Sequence, residues 1–118
     1  MNIQIFGLLK CSDTRKAQRF FKERGVRFQF VDLKEKGLSK GELRSVAARV
    51  PLEQLIDRSG PHFTERGLAH SRLNAEKTET LLLEDPLLLR TPIVRNGKEA
   101  TVGYCPEVWK GWQAAEKE

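Results

Sequence analysis

Two cysteines, one methionine and two histidines are all that this 118-residue chain offers of the residues that build disulfide frameworks and soft metal sites. Cys11 and Cys105 stand near opposite ends of the sequence, and no zinc-ligand spacing joins them to His62 or His70, so neither a disulfide scaffold nor a metal centre is expected. No apolar run approaches the roughly 20 residues that span a bilayer, and the first residues carry no charged-then-apolar leader with a small-residue cleavage site. The expectation is a cytoplasmic chain without a membrane partner. Glycine-rich phosphate loops are absent too: neither the P-loop nor the dinucleotide-binding pattern occurs. The 21 Lys and Arg outnumber the 16 Asp and Glu for a net charge of +5, yet they never gather into a run of five or six. A mixed, solvated surface accounts for that balance, and direct nucleic-acid binding is not expected.

What remains is enough apolar material for one core, at 39% hydrophobic residues, in a length that suits one domain over residues 1–118. Ile3 and Ile5 alternate on one face of a first strand that Gly7 ends. From Asp13 to Arg24, Ala17, Phe20 and Phe21 follow helical spacing, and Gly25 supplies the C-terminal cap. Val26, Phe28 and Phe30 alternate as a second strand with one face on the core. Ser39-Lys40-Gly41-Glu42 is a capping box, continued at helical spacing by Leu43, Val46, Ala47 and Val50 until Pro51. Only helical or loop signals follow up to residue 85, including a helix from Glu76 to Glu84 that Pro86 stops. Strands at Ile93–Arg95 and Lys98–Val102 flank Asn96-Gly97, which predicts a type I′ hairpin. Pro106 opens a terminal helix, with Val108, Trp109 and Trp112 expected to lie on the sheet.

Cys11 falls between the first strand and first helix. A thiol there faces unpaired backbone N–H groups and the positive end of the helix dipole, which favour the thiolate, and Lys10, Arg15, Lys16 and Arg19 are close in sequence. A reactive thiol is therefore preferred over a small buried hydrophobe at this position. Cys105, ahead of Pro106 with no cationic cluster around it, reads as inert. His62 and His70 read as loop or surface residues, and the aromatic residues as packing.

The order β-α-β, a helical insertion over roughly residues 38–90, then β-β-α, with Thr91-Pro92 ahead of the third strand, resembles the thioredoxin/glutaredoxin-like mixed sheet. The likeness goes further. Phe6-Gly7, Cys11-Ser12-Asp13-Thr14-Arg15-Lys16-Ala17, Leu88-Leu89-Arg90-Thr91-Pro92-Ile93-Val94 and Val102-Gly103-Tyr104 are similar to segments of the arsenate reductase and Spx family, including its glutathione-dependent reductase-like members. The similarity runs over nearly the whole chain.

That resemblance implies Cys11 as the nucleophile, a cis Pro92 beside it, and supporting or anion-binding roles for Thr14, Arg15, Arg58, Arg90 and Thr91. It also implies no resident cofactor, with glutathione or another thiol as co-substrate and a small thiol or glutaredoxin-type protein as reductant. The arsenate reductases of the family bind their oxyanion with several arginines. Here Thr91 replaces the one before the cis proline, with Arg90 one position earlier. Tyr104 replaces the one after the last strand, and the third corresponds to Arg58 or, after a one-position shift, falls on Asp57. Spx regulators commonly carry Cys-x-x-Cys, whereas this chain has Thr14 at the second position. Two functions follow: a thiol-dependent oxidoreductase using Cys11 with an external thiol, or a non-catalytic module that, as the Spx likeness implies, contacts RNA polymerase or another protein.

Overall fold

The computed structural model describes residues 1–116. Strand β1 (Ile3–Gly7) leads into helix α1 (Ser12–Glu23), which returns to strand β2 (Phe28–Asp32). Four helices follow, α2 (Lys40–Ala47), α3 (Leu52–Leu55), α4 (Pro61–Glu65) and α5 (Ala75–Glu84), with single 3-10 turns at Leu68–His70 and Pro86–Leu88. The chain then forms β3 (Ile93–Asn96), β4 (Glu99–Val102) and α6 (Pro106–Glu116). The strands lie in the order β2-β1-β3-β4, with β1 parallel to β2 and antiparallel to β3, and β3 antiparallel to β4. This is the thioredoxin-like mixed sheet. No helix among the described residues is long and apolar enough to cross a membrane.

The period of two along β1 divides the core. Ile3 and Ile5 point with Val94 toward α1 and α6, where Ala17, Phe20, Phe21 and Trp109 close one layer. Phe6 and Ile93 point the other way, into Leu33, Leu43, Val46, Leu55, Phe63, Leu82 and Leu88 from the segment between β2 and β3. Register explains the pairing of faces: Ile5 lies opposite Val94, and Phe6 opposite Ile93.

Local signals set most boundaries. Ser39 caps α2 with both hydrogen bonds of the capping box, Glu42 N–H to its hydroxyl at 3.1 Å and its own N–H to the Glu42 carboxylate at 2.8 Å. Helix α2 ends at Ala47, earlier than the apolar spacing predicts, because Val50 reaches the core from the turn that follows. Pro61 occupies the first turn of α4, where its missing N–H would have no helical partner. Two expectations are corrected on the far side of the sheet. Asn96 pairs with Glu99, so the hairpin turns on Gly97-Lys98; only Gly97 has positive φ, at 59°, which is the type II′ pattern. Val108 is 46% exposed, whereas Trp109 is buried and donates its indole N–H to the Thr101 hydroxyl at 2.9 Å. Phe28 and Phe30 are only partly buried because β2 is an edge strand.

Candidate active site

Cys11 is the N-cap of α1, in extended backbone conformation at φ −81° and ψ 119°. Its carbonyl accepts the first helical N–H from Arg15 at 3.2 Å, and its own N–H is tied to the Leu8 carbonyl at 2.9 Å. As a neutral thiol the side chain makes no cap hydrogen bond to the first turn of α1, and the sulfur faces the loop ahead of β3. There the Thr91-Pro92 peptide is cis. As a thiol, Cys11 Sγ donates to the Thr91 carbonyl at 3.8 Å.

Partial burial pushes this thiol's pKa up, but hydrogen bonds to the thiolate from the side chains of Thr91 and Thr14 and from the backbone N–H groups of Thr14 and Asp13 outweigh it, so the net pKa is lowered. These donors are the open first turn of α1 and two hydroxyls. Two of the four cations expected to help are turned elsewhere. Arg15 donates to the Leu9 carbonyl at 2.6 Å, and Lys16 lies 3.9 Å from Asp13 with its ammonium 5.8 Å from the Tyr104 ring centre.

Thr14 owes its position to Gly7. It is fully buried, its hydroxyl accepts from Leu8 N–H at 3.4 Å, and a Cβ built on Gly7 would come within 2.5 Å of that oxygen. The end of β1 and the first turn of α1 are thus in contact only because residue 7 has no side chain. On the other side, the segment around Ile56 pairs antiparallel with that around Leu89: Asp57 N–H donates to Leu88 O at 2.8 Å and Arg90 N–H to Leu55 O at 2.7 Å. This local pairing carries Thr91 to the sulfur.

Beside Thr91 opens a cleft of about 320 Å³, lined among others by Leu8, Lys10, Asp57, His62 and Leu87. Arg58 is not part of it. Its guanidinium lies 5.8 Å from the Phe63 ring centre, over a separate groove that Leu73 and Thr78 help to line. Asp57, the alternative at that position, faces the cleft and accepts from the Ser59 hydroxyl at 3.1 Å. Arg90 reaches the Gln54 carbonyl at 3.3 Å and acts electrostatically on Cys105. Neither arginine lines the cleft beside Thr91.

His62, expected as a loop or surface residue, lies instead in α4 and is paired with a carboxylate. His62 Nε2 is 2.6 Å from Asp85 Oδ2, which Arg66 also approaches at 2.8 Å. Burial pushes the Asp85 pKa up, but hydrogen bonds to Arg66 and His62 and their charges outweigh it, and it is held below the usual carboxylate range. A partner 23 residues away leaves no local spacing signal. Cys105 donates its thiol to Val102 O at 3.4 Å; burial raises its pKa despite the Thr101 side chain and the charge of Arg90. Both cysteines are free, and among the described residues no three His, Cys, Asp or Glu side chains gather to hold a metal ion.

Comparison with known proteins places this geometry. The model of the ArsC family matches residues 6–112. A protein named global transcriptional regulator Spx 2, from Oceanobacillus iheyensis, is 32% identical over 107 residues, covering 88% of this chain and 78% of its own. Among solved structures, an ArsC-family-related protein from Bacteroides fragilis superposes with a TM-score of 0.82 at 21% identity, over 94% of this chain and 98% of its own. An arsenate reductase from Vibrio cholerae gives 0.79 at 23% identity, over 92% and 94%. At such identities the two structures establish a shared backbone fold.

Proposed function

The chain belongs to the ArsC family, and on that premise we propose that it is a monothiol oxidoreductase in which Cys11 exchanges with disulfides and an external thiol such as glutathione completes the cycle. The observation that supports this most is the partly buried Cys11 sulfur, with the Thr14 and Thr91 side chains helping to lower its pKa. The nucleophile in thiol–disulfide exchange is the thiolate, and this setting raises its fraction at neutral pH.

The chemistry balances without a second protein sulfur. The Cys11 thiolate attacks one sulfur of a disulfide R–S–S–R, forming Cys11–S–S–R and releasing R–S⁻, which takes up a proton. An external thiolate R′–S⁻ then attacks the R sulfur of the mixed disulfide, giving R–S–S–R′ and returning Cys11 as thiolate. Thr14 and Thr91 stabilise the anion at the start and at the end of each cycle. Thr14 offers a hydroxyl where a Cys-x-x-Cys protein has its resolving thiol, so resolution is intermolecular. Cys105, buried enough to have a raised pKa, is suited to stay out of the exchange.

Oxidised glutathione added to the whole protein is expected to yield one glutathione adduct, at Cys11 by peptide mass analysis, reversed by excess reduced glutathione. A two-proton mass loss with a Cys11–Cys105 cross-linked peptide would overturn the monothiol reading, and an unmodified Cys11 would overturn the redox reading altogether. The second reading is a regulator that contacts RNA polymerase or another protein without turnover, favoured by the relative named a transcriptional regulator. Under it, the adduct forms but the protein does not catalyse glutathione-dependent reduction of 2-hydroxyethyl disulfide.

A further inference from the structure

Basic side chains are spread along the sequence, but the fold gathers four of them around one groove between α1 and α6. Lys16 and Arg19 project from α1, Arg24 follows its C-terminus, and Lys110 faces them from α6, around a groove of about 250 Å³ that also holds Glu23 and Tyr104. Four cations thus share this groove with one carboxylate on a chain whose net charge is +5. Existing partners hold them weakly. Among the described residues the ion pairs of Lys16 and Lys110 are the exposed ones with Asp13 at 3.9 Å and Glu107 at 3.2 Å, a kind of contact that adds little. Among the described residues neither Arg19 nor Arg24 forms an ion pair, and the Arg24 guanidinium is stacked 4.1 Å from the Phe20 ring centre. A guanidinium held this way keeps its fork of donors oriented toward solvent at reduced entropic cost. Tyr104, 43% exposed and edge-on to Trp109, adds an amphipathic surface of the type enriched at protein interfaces.

We propose that this groove docks an acidic polypeptide segment of a partner protein, laid along α1. From Lys16 to Arg24 the cations extend over eight positions, about 12 Å of helix, instead of converging on a point, which suits an extended chain better than a single ion. Glu23 inside the groove, with Asp13 and Glu107 at its margins, interleaves carboxylates with the cations. A nucleic-acid backbone, carrying a phosphate at every step, meets repulsion there, whereas a polypeptide places carboxylates at the cations and N–H donors at Glu23. The proposal stands whether or not Cys11 turns over.

Fluorescence anisotropy with a fluorescein-labelled peptide of alternating glutamate and leucine tests it on the full chain. We expect saturable binding that weakens with salt, falls about tenfold or more in Lys16→Glu/Arg19→Glu, and is retained in Lys34→Glu/Lys36→Glu, which changes the net charge equally on another surface. All four substituted residues are exposed, and circular dichroism checks that each variant is folded. No binding at low salt, or equal loss in both double variants, overturns the site. Tighter binding of a single-stranded oligonucleotide of similar length, lost in the same groove variant, overturns the choice of a polypeptide.

Discussion

The Thr14 hydroxyl has two roles: its oxygen accepts the Leu8 N–H, and as a donor to the Cys11 thiolate it helps to hold that pKa down. Because the thiolate is lowered chiefly by such donors, removing one raises the Cys11 pKa, and removing the nearby charges changes it less. Thr14→Val keeps the shape and loses the donor. The expected outcome is a Cys11 midpoint higher than in the parent, followed by thiolate absorbance in a Cys105→Ser background, with slower alkylation at neutral pH. The sign follows from linkage. A lowered pKa leaves more thiolate at pH 7, and below that pKa the reactive fraction falls by about tenfold per pH unit. The parent midpoint is expected below the free-cysteine value of about 8.5. If Thr14→Val leaves the midpoint unchanged while Lys10→Gln/Lys16→Gln raises it, charge and not hydrogen bonding controls the thiol.

Among the elements, β1 and α1 decide the site together. Their junction tolerates no Cβ at residue 7, because the space is filled by a side chain that is itself buried and hydrogen-bonded. Gly7→Ala is therefore expected to cost about 1 to 3 kcal/mol in urea unfolding, the usual range for overpacking, with the slope of the transition unchanged. It is also expected to slow Cys11 alkylation, since Thr14 must move. Stability within error of the parent would show that α1 shifts freely at this contact. The β3–β4 hairpin teaches the opposite lesson about locality. Asn96-Gly97 promised a turn and a turn formed, but its register was set by β1, which pairs Ile3 with Asn96 and whose neighbour Asn2 donates to the Asn96 side chain at 3.2 Å.

For the whole molecule, packing sends Arg58 and Arg90, the arginines that the resemblance implies for anion binding, to separate partners. Arg58 lies near the Phe63 ring and Arg90 reaches Gln54, and the resemblance implies that Thr91 and Tyr104 replace two further cations of the arginine-bearing reductases. Charge-assisted contacts contribute roughly 1.5 to 3 kcal/mol each, so lacking two lowers turnover by roughly two to four orders of magnitude. Arsenate reduction with glutathione and glutaredoxin is accordingly expected to be weak or undetectable. A rate equal to that of a family member with all three arginines would show that other cations, Lys10 foremost, have taken over the pocket.

Much of this was written into short stretches of the chain. The alternation of Ile3 and Ile5, the helical spacing of Ala17, Phe20 and Phe21, the Ser39 capping box and the Pro106 start each depend on neighbours a few residues away, and each formed. Cys11 at the head of a helix belongs to the same class, since a helix N-terminus is a local feature. What stabilises its thiolate is not. Lys10, Arg15 and Lys16 are near Cys11 in sequence, yet Arg15 turns back to Leu9 and Lys16 toward Tyr104, while Thr91 arrives from the other end of the chain through the Ile56–Leu89 pairing. The choice of Asp57 over Arg58 at the cleft, the His62–Asp85 contact and the basic groove between α1 and α6 likewise depend on which faces the helices present to one another. Hydrophobic periodicity tells which side of an element is buried; only packing decides which polar side chains, unconstrained by that burial, end up sharing one space.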